Sequence, residues 1–188
     1  MLSSPILAFI IACEVGFWIV VVAGLLVRYR LRRPRAGAAV LWSVVALDLA
    51  LLIAVGVDLH GGASVNNIHT IAGLYLGGSI AFGPRMVRWA DVRFAYHFAG
   101  GPPPVKAPKT GAAAVRYEWV LFGQWLIAAL ITAAAIMVLA LTVADAAQRT
   151  GLYGGFAAIG VVTVIWFVSG PAWAVGRRIG EVTAISGR

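Results

Sequence analysis

Charge is scarce in this chain. Only 12% of its residues are Asp, Glu, Lys or Arg, against about 25% in an ordinary soluble domain. Hydrophobic residues make up 61%, and they include several unbroken apolar runs of about 20 residues, the length that crosses a bilayer's hydrocarbon. A soluble fold cannot bury that many such runs, so a water-soluble reading is rejected. Cysteine is equally rare. Cys13 stands alone inside an apolar run, which excludes an intrachain disulfide and any paired-thiol redox cycle. No HExxH, GxSxG, P-loop, CxxC or dinucleotide fingerprint occurs, and the polar residues are too sparse to name a nucleophile with its base. Acids are outnumbered, 7 against 15 basic residues, for a net charge of +8. The basic residues carry no RNA or DNA motif around them, so nucleic acid is not an expected partner.

What is present is a repeated membrane-length pattern. The apolar runs cover about 6–27, 37–57, 68–86, 119–143 and 153–175, each about 19–25 residues and so long enough to span with modest tilt. None alternates with period two, and helices satisfy their own backbone in lipid. The expected fold is therefore all-α: a single transmembrane domain over 1–188, a polytopic bundle of five transmembrane helices. The opening MLSSP lacks the basic region of a secretory signal, and the run behind it is too long for one, so it reads as a retained first helix.

Charge placement predicts the orientation. Of the 15 Lys and Arg residues, all but Arg149 fall in the first connection, the third connection or the tail. An excess of this kind belongs in the cytoplasm, which puts the N-terminus outside and the C-terminus inside. Trp42, Trp89, Trp119 and Trp173, with Tyr29 and Tyr117, fall near the same predicted boundary, as an aromatic belt does.

The third connection, 87–117, reads as a cytoplasmic amphipathic helix followed by a Pro/Gly linker. Val87, Ala90, Phe94 and Phe98 share one side of the helix, and Arg85, Arg88 and Asp91 share another. Gly100-Gly101-Pro102-Pro103-Pro104 then ends it. Arg85, Arg88, Arg93, Phe94 and Phe98 are the expected contacts with anionic headgroups, each basic residue contributing about 1 kcal/mol there. Docking of a membrane partner, or of a second copy, is the sharper alternative, and the headgroup reading is favoured because it needs no partner.

Two carboxylates lie inside the spans. Glu14 is in the outer half of the first helix, with Phe17, Trp18 and Val21 on its side and Ala8, Ala12 and Gly16 opposite. Asp48 is near the middle of the second. An ionised carboxylate there costs several kcal/mol unless it is protonated, paired or hydrated. Without a cation from the protein at that depth, these residues are candidates for carrying a proton or binding a cation; a structural hydrogen bond from a protonated carboxyl is the plainer role.

Asp58, His60, Asn66, Asn67 and His69 gather at the outer ends of the second and third spans. Asp58, His60 and His69 could ligate a metal, or the two histidines a haem iron. Their spacing is not a recognised ligand pattern, and polar residues solvating an exterior loop are the favoured reading, so no cofactor is expected. His69, Gly73, Gly77, Ala81 and Arg85 form a stripe at four-residue intervals that permits close helix packing. Ser169-Gly170-Pro171 is expected to kink the last span and free the carbonyl of Phe167.

From Ala12 to Pro104 the sequence resembles a family of small, uncharacterised bacterial integral membrane proteins, the YmcC-like proteins. The likeness rests on CEVGFW at 13–18, the Arg-rich turn through Pro34, VDL at 57–59 and RWADVRFAYHFAGGP at 88–102. It covers about half the chain, implies a bacterial plasma-membrane location, and supplies no activity. Three functions are therefore weighed. First is a transport-type or proton/cation-coupled module working through Glu14 and Asp48. Close behind is a non-catalytic membrane scaffold or subunit of a larger complex. Third is a haem or metal redox protein using His60 and His69. An enzyme is not the leading expectation.

Overall fold

Apolar runs of membrane length become helices because backbone hydrogen bonding within a helix needs no solvent. The computed structural model describes residues 5–29, 31, 33–65, 67–98 and 100–186, and only part of the side chains in the first two helices. It is all-α, with no strand among the described residues. The helices are α1 (Pro5–Tyr29), α2 (Pro34–His60), α3 (Asn67–Phe98), α4 (Gly111–Thr142), α5 (Ala146–Phe167) and α6 (Trp173–Ser186). A π turn, Val168–Ala172, joins the last two without a break.

Local chemistry sets the helix ends, which extend beyond the apolar runs. Pro34 opens α2, where its missing N–H costs nothing. Past its end the Gly61 N–H returns to the Val57 carbonyl at 3.0 Å, and Gly62, at φ 85°, donates to Leu59 at 3.0 Å. α3 continues through Pro84 to Phe98, so the amphipathic segment and the third apolar run form one helix. Gly100 then takes φ 66° and the Gly101 N–H closes onto the Ala95 carbonyl at 3.0 Å. Of the described residues between α3 and α4, 100–110 are irregular; α4 starts at Gly111, because Ala112, Ala113 and Ala114 are strong helix formers although they lie ahead of the apolar run.

α5 starts at Ala146, before its own apolar run, through a capping box. The Gln148 N–H donates to Asp145 Oδ1 at 2.8 Å, and the Asp145 N–H donates to Gln148 Oε1 at 2.8 Å. Pro171 cannot donate to the carbonyl four residues back and its ring would press on it. The chain widens there into the π turn, in which the Trp173 N–H reaches the Val168 carbonyl, while Ser169 Oγ donates to Ile165 at 2.7 Å.

α4 holds the centre. Phe122, Trp125, Ala128, Ala129, Ile136 and Leu139 are buried against Leu51, Val55 and Leu59 of α2 and Leu152 and Ile159 of α5. The glycine stripe of α3 meets it directly. A Cβ on Gly77 would collide with the Ala128 carbonyl and Thr132 Oγ1, and one on Gly73 would come 3.3 Å from Thr132 Cγ2. Thr132 Oγ1 secures the seam by donating within reach of two carbonyls, Gly73 at 3.0 Å and Ala128 at 2.9 Å. An aromatic stack completes the core: Trp166 lies 5.3 Å from Trp125 and 5.7 Å from Phe82 between ring centroids, and Trp125 Nε1 donates to Thr163 Oγ1 at 3.0 Å.

The outside is strongly apolar. Leu130, Leu141, Val161, Val164 and Ile165 are all exposed, a surface that water does not favour. Two continuous helices, Gly111–Thr142 and Ala146–Thr183, are long and apolar enough to cross a membrane, and shorter apolar stretches run over Trp18–Arg28 and Leu49–His60.

Candidate functional site

The polar groups divide between the two ends of the bundle. At one end the C-terminal part of α3, the irregular 100–110 segment, the start of α4, the π turn and α6 come together. They enclose an open cavity of about 780 Å³ lined by Trp89, Arg93, Lys106, Tyr117, Trp173 and Arg177, among others. The arrangement is cationic and aromatic. The Arg93 guanidinium lies 3.8 Å over the Trp89 ring, close enough for a cation–π attraction. The Arg177 side chain donates to the Lys109 carbonyl, and the Gly111 N–H donates to Glu181 Oε2 at 3.3 Å. α6 is thereby fastened to the irregular segment at two points. Glu118 brings a carboxylate to this cavity, held close to Gly170 of the π turn.

The predicted surface contacts fall here, in different roles. Arg88 is exposed. Phe94 and Phe98 are one turn apart with ring centroids at 4.5 Å, and Phe98 projects outward, 74% exposed. Arg28 of α1 meets Asp91 of α3 at 3.4 Å, tying the first helix to the amphipathic segment. Arg85 is drawn inward. Its guanidinium sits 5.6 Å from the centroid of Tyr117 on α4, and its Nη1 is buried with no hydrogen-bond partner among the described residues.

Beside this end a second, apolar cleft runs between α1 and α3. One part, about 300 Å³, is lined by Trp18, Val21, Arg85, Met86, Trp89 and Ala90. The next, about 320 Å³, shares Trp18 and Met86 and continues over Leu74, Tyr75, Gly78 and Gly83.

At the opposite end His69 is 1% exposed, and its Nε2 lies 3.5 Å from Asp58 Oδ2, an electrostatic contact at the long limit for a hydrogen bond. The sequence-predicted trio is thus split: Asp58 and His69 meet, while His60 is exposed at the last residue of α2. Among the described residues no three His, Cys, Asp or Glu side chains gather to hold a metal; Asn66 lies outside them, as does the Asn67 side chain. The group that organises this end is Gln148. Its Nε2 donates to the Leu59 carbonyl at 2.9 Å and to Ala63 at 2.8 Å, clamping the α2–α3 connection to the start of α5. The sequence reading passed over it, although Asp145 followed three residues later by Gln148 is a capping-box signature. Lys106, Tyr117, Trp173, Arg177 and Glu181 were not grouped either, because they meet only through tertiary structure.

Glu14 and Asp48 fall in α1 and α2, and their side chains lie outside the described ones. The helix register still relates them. A Cβ on Gly37 would come 2.7 Å from the Gly24 carbonyl and 2.8 Å from Arg28 Cβ, so the antiparallel helices touch there. Counting back at 1.5 Å per residue, Glu14 stands about 15 Å and Asp48 about 16 Å from that contact. The two backbones carry these residues at one level.

No family model matches the sequence, and no solved structure matches it. Over 98 residues the chain is 46% identical to Uncharacterized membrane protein YmcC of Bacillus subtilis (strain 168). The match covers 52% of this chain and 53% of the relative, so it spans about half the length of each. Over that half the chain is similar to the uncharacterised YmcC-like membrane proteins, the likeness that its sequence motifs bear.

Proposed function

We propose that this chain is a multi-pass protein of the bacterial plasma membrane, with five spans and its N-terminus outside, that serves as a non-catalytic binding module at the cytoplasmic face. The observation that carries this reading is the convergence of Arg93, Lys106 and Arg177 with Trp89, Tyr117 and Trp173 around one cavity at one end of the bundle. Cations beside indole and phenol rings suit the interface between anionic headgroups and water. The exposed apolar flanks of α4 and α5 favour lipid as their surroundings, and the membrane protein that shares half the chain supports the same location. Fastening of α6 to the irregular segment holds this end in one shape, as a platform for a membrane subunit or a second copy requires.

Orientation is tested with Cys13→Ala as background. A cysteine placed by Ser64→Cys should react with a membrane-impermeant maleimide in intact cells, and one placed by Lys106→Cys only after permeabilisation. Labelling of the second in intact cells would overturn the topology.

A second reading is favoured by one observation, the shared level of Glu14 and Asp48 on neighbouring helices. It is a proton- or cation-coupled module in which the two carboxyls share a proton or a cation. The double variant Glu14→Gln/Asp48→Asn should abolish ion-dependent flux in proteoliposomes while the protein stays folded. Undiminished flux in that variant ends this reading.

A further inference from the structure

Arg85 is a cation without a visible reason for its place. Its Nη1 is buried and makes no hydrogen bond among the described residues, and a buried charged donor left unsatisfied is costly. Tyr117 offers its ring face, which attracts the charge and accepts no ordinary hydrogen bond from it. Asp91, the nearest carboxylate along α3, is engaged by Arg28. The guanidinium lines the mouth of the cleft between α1 and α3, whose other walls there are Trp18, Val21, Met86, Trp89 and Ala90.

The floor of that cleft is equally particular. α3 carries glycines on two faces with opposite uses. Gly73 and Gly77 have no room for a Cβ because α4 fills it, whereas a Cβ on Gly78 or Gly83 would meet nothing within 4 Å among the described residues. Both open glycines line the cleft. They leave a shallow, smooth channel that starts at Arg85 and passes Met86, Gly83 and Gly78 toward Leu74. From Leu74 to Arg85 the helix rises about 16 Å, close to the depth of one leaflet's hydrocarbon, about 15 Å.

We propose that this cleft is a binding site for a single anionic phospholipid of the cytoplasmic leaflet, its phosphate on Arg85 and one acyl chain along Gly83 and Gly78. The proposal rests on the membrane reading above. A chain of methylenes fits two linked volumes of about 300 and 320 Å³, whereas a peptide helix, about 10 Å across, does not. The bidentate geometry of a guanidinium matches a phosphate oxygen pair and would satisfy Nη1. Trp89 lines both this cleft and the larger basic cavity, so the remainder of the headgroup comes to lie toward Arg93.

The test is native mass spectrometry of the full chain in mild detergent, delipidated and then titrated with phosphatidylglycerol, diacylglycerol or inorganic phosphate. One phosphatidylglycerol should bind at least about tenfold tighter than diacylglycerol, which lacks the phosphate, since a charge-assisted hydrogen bond is worth that ratio, and inorganic phosphate should not compete. Arg85→Gln should remove that preference. Gly78→Leu, which fills the channel and leaves Arg85 in place, should weaken both lipids, and Arg149→Gln, exposed at the opposite end of the bundle, should change neither. Equal binding of the two lipids, an unchanged preference in Arg85→Gln, or competition by inorganic phosphate overturns the proposal. If Arg85→Gln does not fold, Gly78→Leu decides, and undiminished phosphatidylglycerol binding in it is fatal. Failure of the membrane reading is seen separately, as protein recovered in the aqueous fraction without detergent.

Discussion

Replacing Gln148 tests how the end opposite the basic cavity is held together. Its side chain is 7% exposed and makes three hydrogen bonds: it accepts from the Asp145 N–H at 2.8 Å and donates to the Leu59 and Ala63 carbonyls at 2.9 and 2.8 Å. At about 1 kcal/mol for each bond, Gln148→Ala should cost about 3 kcal/mol. The Leu59 carbonyl keeps a second donor in the Gly62 N–H, which holds the loss to that size. For a chain of this length the loss corresponds to about 10 °C in the unfolding midpoint. Gln148→Glu is the more telling variant. It keeps an acceptor for the cap and sets an anion against two carbonyls, so at pH 8 it should be less stable than Gln148→Ala. That environment raises the carboxyl's folded value above its unfolded one. Stability is then present at low pH and lost as pH rises, so the deficit should shrink between pH 8 and pH 5. Thermal unfolding in dodecyl maltoside at both pH values reads all three. A drop under about 2 °C for Gln148→Ala, or a pH-independent Gln148→Glu, would refute the clamp.

Three further expectations use the same assay. Gly77→Ala should destabilise by about 1–3 kcal/mol through overpacking against Ala128 and Thr132, while Gly78→Ala, with no described atom within 4 Å of its Cβ, should be neutral or slightly stabilising; equal effects would place the α3–α4 seam wrongly. His69→Ala should cost at least about twice what Asp58→Ala does, because His69 is fully enclosed and its loss opens a cavity, whereas Asp58 is one-third exposed and its contact with His69 is long, at 3.5 Å. Thr163→Val should cost about 1 kcal/mol by leaving Trp125 Nε1 without its acceptor, and should shift the tryptophan emission; an unchanged spectrum would argue against that bond.

Much of the site was not written where it could be read. The glycine stripe announced its packing role, since Gly73 and Gly77 recur at the helical interval and a missing side chain has one obvious use. Gly78 and Gly83 could not be distinguished from them by spacing; only the placement of α1 and α4 shows which glycines are covered. Arg85 was grouped with Arg88 as a surface cation because both follow an apolar run, and the structure separates them by turning one guanidinium against Tyr117. The tryptophans likewise divided: Trp89 and Trp173 line the basic end, while Trp125 and Trp166 stack inside the bundle.

The sequence by itself determined the helical class, the succession of long apolar segments and the clustering of cations in the first and third connections. Those properties follow from backbone self-satisfaction and hydropathy, which act locally and leave a readable period or run. The capping signals at Pro34 and at the Asp145–Gln148 box are local too, involving residues at most three apart, although the apolar runs alone put those helix starts at 37 and 153. Tertiary structure alone decided that Arg93, Lys106 and Arg177 meet, that Asp58 finds His69 while His60 remains exposed, and that Gln148 reaches Leu59 and Ala63. Such pairings join residues tens of positions apart, and they depend on which helix faces which, a choice made by the summed packing of whole helix surfaces.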